Sequence, residues 1–344
     1  MEYFLPQRTK GVPLPQVHTH NSSLKSLAPG LVAIFVGGTS GISHYTAREL
    51  ARNTVSPHIY LIGRNESEAA RITSELQSIN SSSKISFIKR DVSLLREVDE
   101  ACREIKEKEK KVNLVFMTIG VMTLKGRDET KEGLDRKFAL HYYSRMRFVQ
   151  NLLPELTAAA DDTNPNATLS RVVSVYDPFL GKKGGLDFAD LSLKKGYALG
   201  AVATHASAMQ NFALERFARM NPKTSFIHEQ PGGVETGLVK SAWVKPLTFL
   251  LKPLLVPRVE SGERHLFEAT APRYAPRAKA DEVEDVVMGA DDVKGSGFYQ
   301  LSWNGAVAGP SKKEAEMKAD GVEKKIWDHT EEVFRKICDE DGKY

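Results

Sequence analysis

Short apolar runs alternate with longer stretches of helical spacing over most of the chain. LVAIFVG, Leu31–Gly37, is almost continuously apolar and stops at glycine, the pattern of a strand buried on both faces. HIYLIG (His58–Gly63), KISFIKRD (Lys84–Asp91), KVNLVFM (Lys111–Met117), RVVSVY (Arg171–Tyr176) and TSFIHEQ (Thr224–Gln230) continue the series. Between them Tyr45–Asn53, Glu66–Ile79, Leu94–Lys110, Glu132–Ala160 and Ala201–Met220 carry charged faces at helical spacing. This alternation predicts an α/β fold, a doubly wound parallel sheet flanked by helices. Beyond residue 230 it weakens; Gly295–Asn304 offers one late strand and Val322–Ile337 one late amphipathic helix.

Residues 1–29 hold Pro6, Pro13, Pro15 and Pro29 and read as an extended, poorly ordered N-terminal arm. Residues 30–340 then form a single domain, with an elaboration around 238–295. Within it, Ser241–Pro257 combines Trp243, Phe249 and several leucines with Pro246, Pro253 and Pro257. The prolines break any long helix, and the segment suits a lid over an apolar substrate. A homodimer surface, or a peripheral membrane patch using Lys245 and Lys252, are the alternatives.

Charge and cysteine content narrow the function classes. The 344 residues include 48 basic and 44 acidic side chains, a formal surplus of +4 that gives no reason to expect a nucleic-acid partner. Two isolated cysteines, Cys102 and Cys338, exclude a disulfide scaffold and point to a reducing, cytoplasmic setting. No apolar run approaches the roughly 18 residues needed to span a bilayer.

The sharpest local signal is VGGTSGIS, Val36–Ser43, directly after the first strand. Gly37 turns where a side chain would clash, and Gly41 lets the next helix approach phosphates. Backbone N–H groups at that helix start, with the hydroxyls of Thr39 and Ser40 and the flank of Ile42, suit a dinucleotide pyrophosphate. The loop lacks the GK[ST] ending of a Walker A motif. After the second strand, LIGRN places Arg64 where an acidic residue would hold the ribose of NAD; a guanidinium complements the 2′-phosphate of NADP instead. Asp91 and Val92, after the third strand, suit adenine contacts.

The order GGTSGIS, LIGRN, RDVS and PGGVETG (Pro231–Gly237) resembles the short-chain dehydrogenase/reductase family, in particular its larger fungal members in secondary metabolism. SGERHLF at Ser261–Phe267 and GSGFYQLSWNG at Gly295–Gly305 resemble the tail of that subgroup. The resemblance implies a Rossmann-like fold, NAD or NADP, and hydride transfer at a carbonyl or alcohol. Pro231, Gly232, Val234 and Thr236, after the sixth strand, suit a turn beside nicotinamide, and Gly120 permits close approach of the chain's backbone to the cofactor. Two departures touch the cofactor end. Ser43 replaces the last glycine of the loop, and Met117, Thr118, Ile119 and Gly120 replace Asn-Asn-Ala-Gly.

The reaction centre departs further. The family's Asn, Ser, Tyr and Lys fall at His141, Asp177, Ala203 and Ser207. Ala203 has no transferable proton, and Ser207 has no charge to lower a phenol's pKa. Asp177, Tyr197, His141 and His205 are therefore the candidates for proton handling, with His141 able to exchange a proton near neutral pH. There is no GxSxG elbow and no compact histidine–carboxylate motif for a metal. The expected activity is an atypical NADP-dependent oxidoreductase acting on a bulky, mostly apolar ketone or alcohol. A non-redox isomerase, cyclase or dehydratase, or a catalytically silent NADP-binding protein, are the alternatives.

Overall fold

The computed structural model describes residues 8–182, 185–234 and 255–344. Eight strands form one sheet in the order β3-β2-β1-β4-β5-β6-β7-β8. They are β1 Val32–Val36, β2 His58–Gly63, β3 Lys84–Lys89, β4 Leu114–Met117, β5 Arg171–Val175, β6 Ser225–Glu229, β7 Phe298–Leu301 and β8 Val307–Ala308. All neighbours pair in parallel except β7 and β8, an antiparallel edge absent from the sequence pattern. The chain winds outward from β1 in one direction through β2 and β3, then in the other from β4. Strand order reverses between β1 and β4, and in such sheets ligands usually bind beyond the carboxyl ends of the strands at that point.

The continuous apolar character of β1 follows from its double burial. Val32, Ile34 and Val36 join one core with α4 (Leu95–Lys106), α6 (Ser144–Ala160), α7 (Leu199–Met220) and α10 (Val322–Phe334). Ala33 and Phe35 join the opposite core with α1 (Leu14–Ser23), α2 (Gly41–Asn53), α3 (Glu66–Ile79) and α8 (Arg258–Thr270). A short helix α9, Lys312–Ala319, starts with a reciprocal Ser311–Glu314 capping box.

The N-terminal arm is neither wholly extended nor free. Residues 14–23 form α1, which packs on α8 with Val17 fully buried. Proline is the reason the arm looked irregular: Pro13 sits at the N-cap and Pro15 in the first turn, where no amide bond is lost. Asn21 Nδ2 then donates to Glu263 O at 2.9 Å, tying the arm to α8.

The predicted helix Glu132–Ala160 is also revised. Glu132 lies before it and caps α4, accepting from Leu95 N at 2.6 Å and Arg96 N at 3.2 Å. Asp135 caps the true start, α5 (Arg136–Phe138), by accepting from the amides of Lys137 and Phe138. A π-helical turn at Ala139–Tyr143 joins α5 to α6 and carries His141.

Candidate functional site

The glycine loop turns from β1 into α2 with Gly37 at φ +88° and Gly41 at φ +60°. A Cβ on Gly37 would lie 3.1 Å from Thr118 Oγ1 and 3.2 Å from Ile119 N, so only glycine fits without displacing the end of β4. Thr39 packs over Gly63, where a Cβ would come within 3.0 Å of its hydroxyl. Ser40 is the N-cap of α2, but its side chain makes no capping bond. The first-turn amides are thus left without a side-chain cap, as an anion site requires. Ile42 packs against the α2-side core. Ser43 is fully buried, with its hydroxyl oxygen 2.8 Å from that of Thr118.

Arg64 leaves the end of β2 exposed and without an ion pair among the described residues. The neighbouring cations are committed. Lys89 meets Glu66 at 2.8 Å, and Arg90 bridges Glu97 and Glu104. Asp91 Oδ1 accepts from Ser93 Oγ at 2.8 Å, while Oδ2 lies 3.4 Å from Arg136. Val92 is buried, and its carbonyl accepts from Ser144 Oγ.

At the other end of the crevice, Gly120 follows β4 and meets the π-turn. A Cβ there would stand 2.8 Å from His141 Nε2. Val121 N donates to that nitrogen at 3.3 Å, which places the ring proton on Nδ1, buried without a partner. Burial, with Arg145 and Lys137 nearby, lowers the His141 pKa to about 3. Proton exchange by His141 near neutral pH is therefore corrected: the ring stays neutral because its charged form would be desolvated between two cations. Tyr176 lies against the ring, with centroids 4.8 Å apart, and burial raises its phenol to about 12.

Arg145, one of the largest fully buried side chains, sits below this layer. Its guanidinium donates to Met117 O, Ile119 O, Leu140 O, Val175 O and Ser174 Oγ, tying the ends of β4 and β5 to the π-turn. All five acceptors are neutral. Burial brings its pKa down to about 9.

The remaining candidates divide. Asp177 Oδ1 accepts from Phe179 N at 2.8 Å and caps its own loop. His205 is buried and braces the loop before α7, accepting from Asp187 N at 3.1 Å. Its Nδ1 faces Leu191 O, and burial lowers its pKa, so it is a satisfied structural histidine rather than an open proton carrier. Ser207, at the lysine position, donates to Asp177 O at 2.7 Å and accepts from Gly181 N at 2.8 Å. Tyr197 has a partner that the sequence did not reveal. Lys137 Nζ donates to its hydroxyl at 3.0 Å and to Lys125 O and Gly126 O. Lys137 is 4% exposed, so this ammonium is held inside the wall.

Pro231 and Gly232 follow β6; Gly232 has φ +69° and faces the Trp303 side chain, which a Cβ would meet at 2.8 Å. Val234 forms a parallel bridge with Val256. Thr236 and most of the expected lid lie outside the described residues. No helix among the described residues is long and apolar enough to cross a membrane.

Residues 31–166 match the family model described as short chain dehydrogenase. Oxidoreductase AN1596 of Emericella nidulans is 41% identical, covering 94% of this chain and 98% of its own length. Oxidoreductase andH of Emericella variicolor is 32% identical, covering 94% and 97% respectively. Among solved structures, the NADH-dependent reductase A1-R′ complexed with NAD aligns with a TM-score of 0.54 at 18% identity, over 83% of this chain and 98% of that one. That last likeness concerns the fold alone.

Proposed function

The chain belongs to the short-chain dehydrogenase/reductase family of oxidoreductases, and on that premise we propose that it is an NADP-dependent enzyme reducing or oxidising a bulky apolar ketone or alcohol. The unpaired Arg64 supports the choice of NADP. It is the cation at the β2 end left free for a 2′-phosphate, and a guanidinium offers that group paired donors. The turn at Gly37 and Gly41, with Thr39, Ser40 and the open amides of α2, holds the pyrophosphate. Asp91 and Val92 flank the adenine, and Gly120, Pro231, Gly232 and Val234 flank the nicotinamide. Bound NADP supplies or accepts the hydride at its nicotinamide.

Proton handling falls to Tyr197. The observation that carries this reading is its hydroxyl, 3.0 Å from the buried ammonium of Lys137. The lysine donates to the phenolic oxygen, so the phenol's own proton is free for a substrate oxygen. The pair thus performs the task of the missing tyrosine and lysine from different elements. Neutral His141, against Gly120 and Tyr176, lines the wall beside the reacting groups. Asp177 fixes the loop below. Met122 and Leu124, 67% and 85% exposed just beyond Gly120, offer apolar surface at the rim for a bulky substrate.

Following NADPH absorbance with a panel of bulky ketones tests the proposal. The expected result is one NADPH consumed per alcohol formed; product formed without NADPH consumption rejects it in favour of the non-redox reading.

A further inference from the structure

The face of the sheet covered by α8 holds a second cluster, unrelated to hydride transfer. His228 on β6 turns toward α7, where Nδ1 meets Asn211, so Glu229 points the other way. There it meets His265 and Glu268, one helical turn apart on α8 and part of the SGERHLFE stretch. Exposure is 0%, 1% and 0% for Glu229, His265 and Glu268. Their candidate ligand atoms all lie within 4.8 Å of one another. Among the described residues, both oxygens of each carboxylate and His265 Nε2 lack a hydrogen-bond partner of good geometry. The arginines of the region are engaged elsewhere. Arg171 donates to Glu268 O, Ala271 O and Tyr274 O, and Arg264 to Glu260 and Val12 O.

The tautomer of His265 decides what the cluster offers. Nδ1 lies 2.6 Å from Ser261 O, and a carbonyl only accepts, so Nδ1 carries the proton. In the neutral ring Nε2 then presents a lone pair to Glu229 Oε1 at 3.2 Å. A charge-assisted N–H···O contact closes to about 2.7–2.9 Å. The observed spacing is instead near the ~3.3 Å edge of a tetrahedron with ~2.0–2.1 Å metal–ligand bonds. A backbone carbonyl orienting a histidine through its other nitrogen is also the common outer arrangement of metal sites.

We propose that Glu229, His265 and Glu268 form a structural site for one divalent cation of the zinc class, joining the end of β6 to α8. Two carboxylates and a neutral imidazole carry a charge of −2, which such an ion cancels. One nitrogen and four carboxylate oxygens are enough for four-coordination when one carboxylate binds through both oxygens. The sequence conceals the site because Glu229 is remote from the helix that carries the other two ligands. Complete burial means the ion enters as the chain folds.

The test refolds the full chain from denaturant with Zn²⁺ or with EDTA, desalts it, and measures bound metal by mass spectrometry and the melting temperature. About one zinc per chain should be retained, with a higher Tm than the EDTA sample. H265Q and E268Q should lose the metal, while H18Q, at an exposed histidine, should keep it. Should the two ligand variants fail to fold, Co²⁺-loaded wild-type protein decides, through the intense visible absorption of a four-coordinate ion. Folded wild-type protein that retains no zinc and gives no such band overturns the proposal, leaving a proton shared between Glu268 and Glu229. Retention of zinc by folded H265Q and E268Q overturns it equally.

Discussion

The hydroxyl oxygens of Ser43 and Thr118 lie 2.8 Å apart and join the first turn of α2 to the end of β4. Each residue departs from the pattern of its family, and each supplies the partner the other needs. A lone serine at this fully buried position would leave a polar group unsatisfied; the two changes make sense only together. Ser43→Ala and Thr118→Val should each cost about 1 kcal/mol, because each strands one hydroxyl. The double variant should cost less than the sum. Urea denaturation of the four proteins measures the coupling, and simple additivity would refute it.

Arg64→Ala should weaken NADPH binding roughly 10- to 100-fold, the worth of one charge-assisted pair. NADH binding should hardly change, since NADH has no 2′-phosphate. Titration with both nucleotides reads the difference, and an unchanged preference removes Arg64 from cofactor selection.

Tyr197→Phe should lower kcat by about 10²- to 10⁴-fold with little change in nucleotide affinity. Lys137→Met keeps the phenol but removes the charge beside it. Its kcat should fall while nucleotide affinity holds, because the phenolic oxygen loses its donor. An unchanged kcat would reduce Lys137 to a support for the 125–126 backbone.

Stability should fall with acid before the carboxylates titrate. Burial, first among the causes, lowers the pKa of His20 and His329 to about 4 and of His141 to about 3. Unfolded imidazoles titrate near 6.5. Above that pH neither state is protonated and the contribution is complete. Below it the unfolded chain takes up protons first, and native stability is lost progressively toward pH 4 or below. Each group contributes on the order of a few kcal/mol over its window. Guanidinium midpoints at pH 7.5 and 5.5 should differ, and His329→Gln should narrow the gap; a flat profile would show that these rings are solvated.

Restoring the family residues by A203Y together with S207K should not restore the family's chemistry. Ser207 is fully buried between Asp177 O and Gly181 N, so a lysine there must displace the loop. A loss of about 3 kcal/mol or failure to fold is expected, typical of a buried charge without a partner. A stable, active double variant would show that the loop yields.

What the sequence disclosed was local. The runs at His58–Gly63 and Glu66–Ile79 coincide with β2 and α3 because strand burial and helical spacing act within a few residues. The glycine loop was readable for the same reason. Pairing across the fold was not. Lys137 and Tyr197 are 60 positions apart, and Ser43 and Thr118 are 75 apart. The chemistry of His141 depends on burial and two flanking cations, neither visible from the ring's place in the chain. Glu132 illustrates a subtler miss: it lies in the turn before the helix predicted to begin there, and its carboxylate caps a different helix.

The guanidinium of Arg145 bears on inhibitor chemistry. Its positive charge is surrounded by neutral acceptors and acts on His141 together with Lys137, so an anionic group is favoured beside that ring. Small molecules that mimic an enolate or alkoxide, such as carboxylates and sulfonates on an apolar scaffold, should be retained there. Amines of the same shape should be repelled.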